Sequence, residues 1–339
     1  MTLELSYCPS TLAEGFDSFS PSGLRELFNG RKVSHLLPYV RPEQSEAIAE
    51  LFIENRKRIS ISGVQEKLSI ILDKNKLRLT NEGEQGTYIL KPIPRDLKKV
   101  DQVPANEHLT MQIAKQVYGI NTAANGLVFF QDGTPAYITK RFDVKSNGEK
   151  MGKEDFATLS GKTKDTAGSD FKYESNYEEI GLLIQKFVPA WKVEIEKFYA
   201  IVVFNYLFSN GDAHLKNFSL LETSQGDHIL SPAYDLLNTR LHVNDADLAL
   251  KEGLFNNYET ESFKANGFCA FDDFLEFGQR IGMSTKRVIK TLSKFLVRHD
   301  LVETLIQRSF FNDECKKFYI SHYESRLRAL NYSFLGKNE

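Results

Sequence analysis

Cysteine is scarce in this 339-residue chain: Cys8, Cys269 and Cys315 are few, odd in number and far apart. That pattern fits neither a disulfide framework nor a zinc site with paired ligands, and leaves buried thiols as the reading. Long apolar runs are missing as well; no segment approaches eighteen uninterrupted apolar residues, so no membrane span or direct membrane contact is expected. The opening MTLELSYCPSTLAEG has no basic region ahead of an apolar stretch, so it does not read as a secretory signal, and a cytoplasmic protein is expected. Nor is either charge in excess: the formal net charge of -2 argues against nucleic-acid binding through overall basicity. The basic run KRVIKTLSKFLVRH at 286–299 reads instead as the solvated face of an amphipathic helix. Internal repeats and low-complexity tracts are absent.

What is present is ordinary for a folded protein, with 41% hydrophobic and 26% charged residues, and enough length for two lobes. Residues 1–55 contain FSPSGLRELFNGRK and RPEQSEAIAELFIENRK, each with a capping residue ahead of helical apolar spacing, and form an N-terminal helical extension. From residue 58 the segments ISISGVQEKLSIILD, KLRLT and GTYILKP are β-branched and aromatic, and predict antiparallel strands. VPANEHLTMQIAKQVYGI then sets Leu109, Ile113 and Val117 on one stripe and ends at Gly119, which predicts a single helix. Two apolar runs flank Asp132-Gly133 in NGLVFFQDGTPAYITKRFDV, the signal of a hairpin completing the sheet. Beyond residue 175 the pattern is mainly helical, interrupted by a short β insert, FSLLETSQGDHILSP. The class is α+β: a β-rich N-terminal lobe over 56–145 and a mainly α-helical C-terminal lobe over 146–339, divided in the polar stretch 141–150.

In NYLFSNGDAHLKNFSLL an apolar helix breaks at Asn210-Gly211, and Asp212 is followed five residues later by Asn217. In kinase catalytic loops an aspartate accepts the substrate hydroxyl proton, and an asparagine at this spacing holds magnesium. Alone, the pattern would be a polar turn. Downstream, Asp235 ends a strand in ILSPAYDLLNT and supplies a second magnesium ligand, since this ion needs only one or two carboxylates besides phosphates and water. Upstream, Lys91 ends the strand GTYILKP, where a buried lysine needs anionic partners; ATP phosphates and Glu107 would provide them. Lys140 and Phe142 in YITKRFD occupy the place of a hinge meeting adenine through its backbone. His214 could orient Asp212 or stabilise the transferred phosphoryl group, and Lys216 could neutralise developing charge. Finally, KRISISGVQEKLSIIL at 57–72 is a turn into a strand when read alone; beside the other residues, Ser60, Ser62 and Gly63 become a phosphate loop.

The segments RISISGVQEK, YILKP, NEH, KRFD, KYES, NGDAHLKNFSL and SPAYD, in this order over roughly residues 55–240, resemble the HipA family of bacterial serine/threonine kinases, the toxins of toxin–antitoxin systems. The resemblance implies a two-lobed protein-kinase-like fold that uses ATP and Mg2+. It implies that Asp212 is the catalytic aspartate, Asn217 and Asp235 the magnesium ligands and Lys91 the ATP-phosphate lysine. By the same likeness Ser60 is an autophosphorylated serine, and Ser62 offers a second acceptor. KYES carries no assigned chemistry. Because residues 1–55 alone precede the phosphate loop, and because the loop holds a Ser-x-Ser pair, the chain looks similar to the compact HipT-like branch. That likeness implies an aminoacyl-tRNA synthetase as substrate, the tryptophanyl enzyme first. It also implies two partners: a small antitoxin protein resembling the missing N-terminal subdomain and a DNA-binding antitoxin, with DNA reached only through a partner. Two other readings remain open: a small-molecule phosphotransferase of the aminoglycoside or choline kinase type, whose loop is similar, and a pseudokinase binding module.

Overall fold

The computed structural model describes residues 4–41, 66–94, 97–145, 147–334 and 336. Five strands form one antiparallel sheet in the order β2-β1-β3-β5-β4: β1 (Leu68–Asp73), β2 (Lys76–Leu79), β3 (Tyr88–Lys91), β4 (Asn125–Phe129) and β5 (Pro135–Lys140). The hairpin expected at Asp132-Gly133 joins β4 to β5, with Phe129 opposite Pro135 and Gly133 at φ 84°, a conformation that costs glycine little.

Side chains alternate across this sheet, and the two faces have different fates. Leu68, Ile70, Tyr88, Leu90, Ala136 and Ile138 form one cluster with Leu27 and Phe28 of helix α1 (Pro21–Phe28). That helix starts as the sequence suggests, with Ser20 accepting a hydrogen bond from the Gly23 amide and Pro21 in its first turn. The opposite face carries Ser69, Ile89 and Lys91, which line a cleft. Residues 4–41 therefore pack onto the sheet, and Leu127 donates its amide to the Pro9 carbonyl at 2.7 Å. The second helical segment of the extension, RPEQSEAIAELFIENRK, lies outside the described residues from Pro42 onward.

Helix α2 (Val103–Gln116) is the expected single helix, and its chain turns at Gly119, φ 65°. It is buried nearly all round, and Leu109, Met111, Ile113 and Ala114 join the large apolar cluster of the C-terminal lobe. The helix thus fills the junction between the sheet and the helical part.

A second, three-stranded antiparallel sheet has the order β6-β7-β8: β6 (Lys153–Asp155), β7 (Ser219–Glu222) and β8 (His228–Leu230). β7 and β8 are the expected insert; β6, which the sequence reading did not anticipate, brings residues 153–155 alongside it, Lys153 opposite Leu221. Short helices α3 (Phe156–Leu159) and α4 (Lys164–Ala167) lead to α5 (Tyr177–Phe187) and α6 (Trp191–Leu207). The last helices are α7 (Glu261–Asn266), α8 (Phe271–Arg280), α9 (Thr285–Leu292), α10 (Asp300–Arg308) and α11 (Asp313–Asn331). α6 is the axis of this lobe: Phe198, Tyr199, Val202, Val203 and Phe204 are all buried, and the loop that carries Asp212 and Asn217 leaves its C-terminal end. The three cysteines are unpaired and buried, and no described helix is long and apolar enough to cross a membrane.

Candidate active site

The loop after α6 is shaped by its backbone. Ser209 turns left-handed at φ 54°, and the carboxamide of Asn210 donates to Asn205 Oδ1 at 2.9 Å and to the Asp235 carbonyl at 3.3 Å. The Gly211 amide donates to Thr239 Oγ1 at 2.8 Å. At Gly211 a Cβ would come within 2.4 Å of the Asp245 carboxyl and 2.5 Å of the Ala246 carbonyl, so only glycine fits this approach. The outcome is a rigid bend that presents Asp212, His214, Lys216 and Asn217 to one cleft of about 1200 Å³.

Lys91, Glu107 and Asp235 face the same cleft from the other side. Lys91 Nζ lies 2.6 Å from Glu107 Oε1 and 2.5 Å from Asp235 Oδ1, and the Lys91 and Glu107 side chains are only 4% and 2% exposed. Lys67 adds a second ammonium, 3.3 Å from Asp235 Oδ2. The site therefore balances two cations against two carboxylates, as burial demands. Burial alone would lower the Lys91 pKa, but Asp235 and Glu107 outweigh it and hold Lys91 above the usual lysine range. Burial likewise opposes ionisation of Asp235, yet Lys67 and Lys91 keep it well below the usual carboxylate range. For Glu107 burial wins over Lys91, and its carboxyl is pushed up to about 6. Asp235 itself sits at φ 56°, a left-handed conformation unusual for a non-glycine residue and of the kind found at functional sites.

Asp212 is more open, its side chain 47% exposed. Tyr173 donates its hydroxyl to Asp212 Oδ1 at 2.6 Å, and His214 Nε2 lies 3.9 Å from the same oxygen. Burial lowers the His214 pKa to about 4, so this imidazole is neutral at pH 7. Lys216 lines the cleft with its Nζ 5.9 Å from the Phe171 ring centre.

Two expected residues turn elsewhere. Lys140 falls on the α1 face of β5, the face of Ala136 and Ile138, and donates to Asn29 Oδ1 at 2.7 Å. The Phe142 ring packs 5.5 Å from Tyr234, with Lys153 Nζ 5.7 Å from its centre; neither residue lines the cleft, whereas Arg141 between them does. Ser60, Ser62 and Gly63 lie outside the described residues. The structure also adds residues the sequence reading passed over. Asn106, next to Glu107, donates to the Asn238 carbonyl at 2.8 Å and accepts from its amide at 2.9 Å, tying α2 to the segment after Asp235. Lys67 and Tyr173 were visible only as parts of VQEKLS and KYES.

Asn217 and Asp235 offer oxygen donors at one cleft, Asp235 with 24% of its side chain exposed, which suits magnesium shared with nucleotide phosphates. Among the described residues no three His, Cys, Asp or Glu side chains form a metal-binding cluster, so phosphates and water would complete the ion's shell.

A family model described as the HipA-like C-terminal domain matches residues 59–301. A putative kinase of Haemophilus influenzae is 28% identical over 94% of both chains. The serine/threonine-protein kinase toxin HipA of Shewanella oneidensis is 24% identical over 84% of this chain and 65% of its own length. A chain in the solved complex of HipA, HipB and operator DNA from Shewanella oneidensis MR-1 has a TM-score of 0.60 at 21% identity, covering 86% of this chain and 71% of that one. The fold is thus kinase-like, with a β-rich and a mainly helical part meeting at the cleft.

Proposed function

The chain belongs to the HipA-like C-terminal domain family, and from that premise we propose that it is an ATP-dependent protein serine/threonine kinase acting as the toxin of a toxin–antitoxin system. The observation that carries this reading is the cleft: Asp212 and Asn217 line one side while Lys91, buried against Glu107 and Asp235, lines the other.

ATP enters as the phosphoryl donor, its phosphates against Lys91. The serine oxygen of a protein substrate attacks the γ-phosphorus, the bond to the β,γ-bridging oxygen breaks, and ADP leaves. Asp212 takes the serine proton, while Glu107 keeps Lys91 charged and aimed. Magnesium, held by Asn217 and Asp235, would offset phosphate charge as it does in kinases generally. Most of the acceleration comes from placement and electrostatics rather than covalent participation. Lys216 lines the same cleft, and its charge would offset that of the transferring group.

The finer reading names an aminoacyl-tRNA synthetase as the target, tryptophanyl-tRNA synthetase first, and Ser60 and Ser62 as sites of self-phosphorylation. A phosphate there adds about -1.5 to -2 charge, which opposes the ATP phosphates and competes for Lys91, lowering activity. The partners are a small antitoxin protein and a DNA-binding antitoxin. The second is supported by the HipA–HipB–operator complex of the structural relative; in this reading DNA is reached through the partner, and the protein works in the cytoplasm.

Asp212→Asn is expected to abolish transfer from γ-labelled ATP while ATP binding persists; undiminished transfer would overturn the assignment. Phosphoproteomics after induction, wild type against Asp212→Asn, identifies the target. A phosphoserine in tryptophanyl-tRNA synthetase is the expected difference.

A further inference from the structure

We propose that Tyr173 is a positioning residue for phosphoryl transfer, fixing the rotamer of Asp212 so that one chosen carboxylate oxygen meets the substrate hydroxyl. This rests on the kinase reading above. Asp212 is nearly half exposed and stands on a loop, so nothing in its burial fixes its carboxylate. The hydroxyl of Tyr173 does: it donates to Oδ1 at 2.6 Å and leaves Oδ2 for the substrate.

Tyr173 is well placed to act as a fixed post. Its carbonyl accepts from the amides of Lys251 and Ser175, both at 3.0 Å, and its own amide donates to the Asp170 carbonyl at 2.8 Å. Its ring stands edge-on to His214, centres 5.2 Å apart, and the Lys172 ammonium lies 4.8 Å from it. Four residues on, Tyr177 donates its hydroxyl to the Ala213 carbonyl at 2.9 Å. The segment 173–177 thus grips the catalytic loop twice, once by the Asp212 side chain and once by the next residue's backbone. Asn176 caps α5 by accepting from the Glu179 amide, and its Nδ2 donates to Glu252 at 2.8 Å, so the grip is anchored in the helical lobe.

A base held in the productive rotamer spends no reorganisation at the moment of transfer, and a displacement near 1 Å can cost on the order of 100-fold in rate. Tyr173→Phe keeps the ring and its contacts and removes only the donor.

The experiment follows label from γ-labelled ATP into dephosphorylated casein and into the chain itself, using the full chain with magnesium. Tyr173→Phe is expected to lower kcat on the order of 10- to 100-fold while KM for ATP and Tm stay at wild-type values. Replacing Tyr173 by 3-fluorotyrosine, which preserves shape but makes the hydroxyl more acidic, is expected to change kcat with KM unmoved; a ring that serves only packing leaves kcat unchanged. An unaltered kcat in both variants, or a higher kcat in Tyr173→Phe, would overturn the proposal, the second by making the hydroxyl a block on Asp212. Wild-type protein that transfers no label refutes the kinase reading instead, so the two failures are separable.

Discussion

Removing either member of the Lys91–Glu107 pair should destabilise the protein, but by different amounts and with different responses to pH. In Glu107→Gln the ammonium keeps Asp235 at 2.5 Å, and a carboxyl that burial already pushes up to about 6 is gone. Breaking a buried pair typically costs about 3–5 kcal/mol; with one partner kept and one desolvation penalty relieved, about 2 kcal/mol is expected. With an unfolding entropy near 2.1 cal/mol/K per residue, that lowers Tm of a 339-residue chain by about 3 °C. Lys91→Met instead leaves Glu107, 2% exposed, without its cation, so the full cost of about 3–5 kcal/mol applies at pH 7.5, roughly 4–7 °C. An acid whose folded-state pKa lies above its unfolded value loses stability as pH rises through that interval. Glu107 already shows this sense, about 6 against an ordinary 4.5, and removing Lys91 lifts it further. The Lys91→Met deficit should therefore shrink from pH 7.5 to pH 5 as Glu107 takes up a proton, while the Glu107→Gln protein has no such group to protonate. Differential scanning fluorimetry of the three proteins at both pH values reads this directly. A lower Tm for Glu107→Gln than for Lys91→Met at pH 7.5, or a Lys91→Met deficit independent of pH, would refute the charge balance described for the site.

Gly211→Ala places a Cβ 2.4 Å from the Asp245 carboxyl, beside backbone that cannot yield cheaply; a loss of about 1–3 kcal/mol and a fall in kcat are expected from melting curves and label transfer. Asn106→Ala leaves the Asn238 amide without its acceptor, costing about 1–3 kcal/mol. It also loosens the segment after Asp235, so KM for ATP should rise more than kcat falls. A Tm change below 1 °C in either variant would show that the contact carries no weight.

Those parts of the candidate site whose signal is local are legible in the sequence. Asp212 and Asn217 stand five residues apart after an apolar helix, Lys91 ends a strand, Glu107 lies near the start of a helix, and the cleft receives all four with Asp235. What is not legible there depends on contacts between distant segments: Lys67 with Asp235, Asn106 with Asn238, Tyr173 with Asp212. No local pattern marks a tyrosine as the partner of an aspartate on another loop. Lys140 shows the limit from the other direction, for a strand has two faces. The same alternation that sends Lys91 towards the cleft and the Tyr137 ring sends Lys140 to Asn29. The fold was readable where strands and helices follow polar–apolar periodicity, and less so at β6, three residues long and recognisable only through its pairing with β7.

The helix that carries Glu107 is held from three directions: Asn106 by the chain after Asp235, Thr110 by the Tyr319 hydroxyl of α11 at 2.8 Å, and its apolar side by the larger core. Swinging it outward to uncouple Glu107 from Lys91 would tear all three at once. Any movement of this helix is therefore coupled to both lobes, not free to occur alone. The Lys91–Glu107 pair is in this sense a joint of the whole molecule: its geometry is set by the sheet, the helix and the C-terminal lobe together.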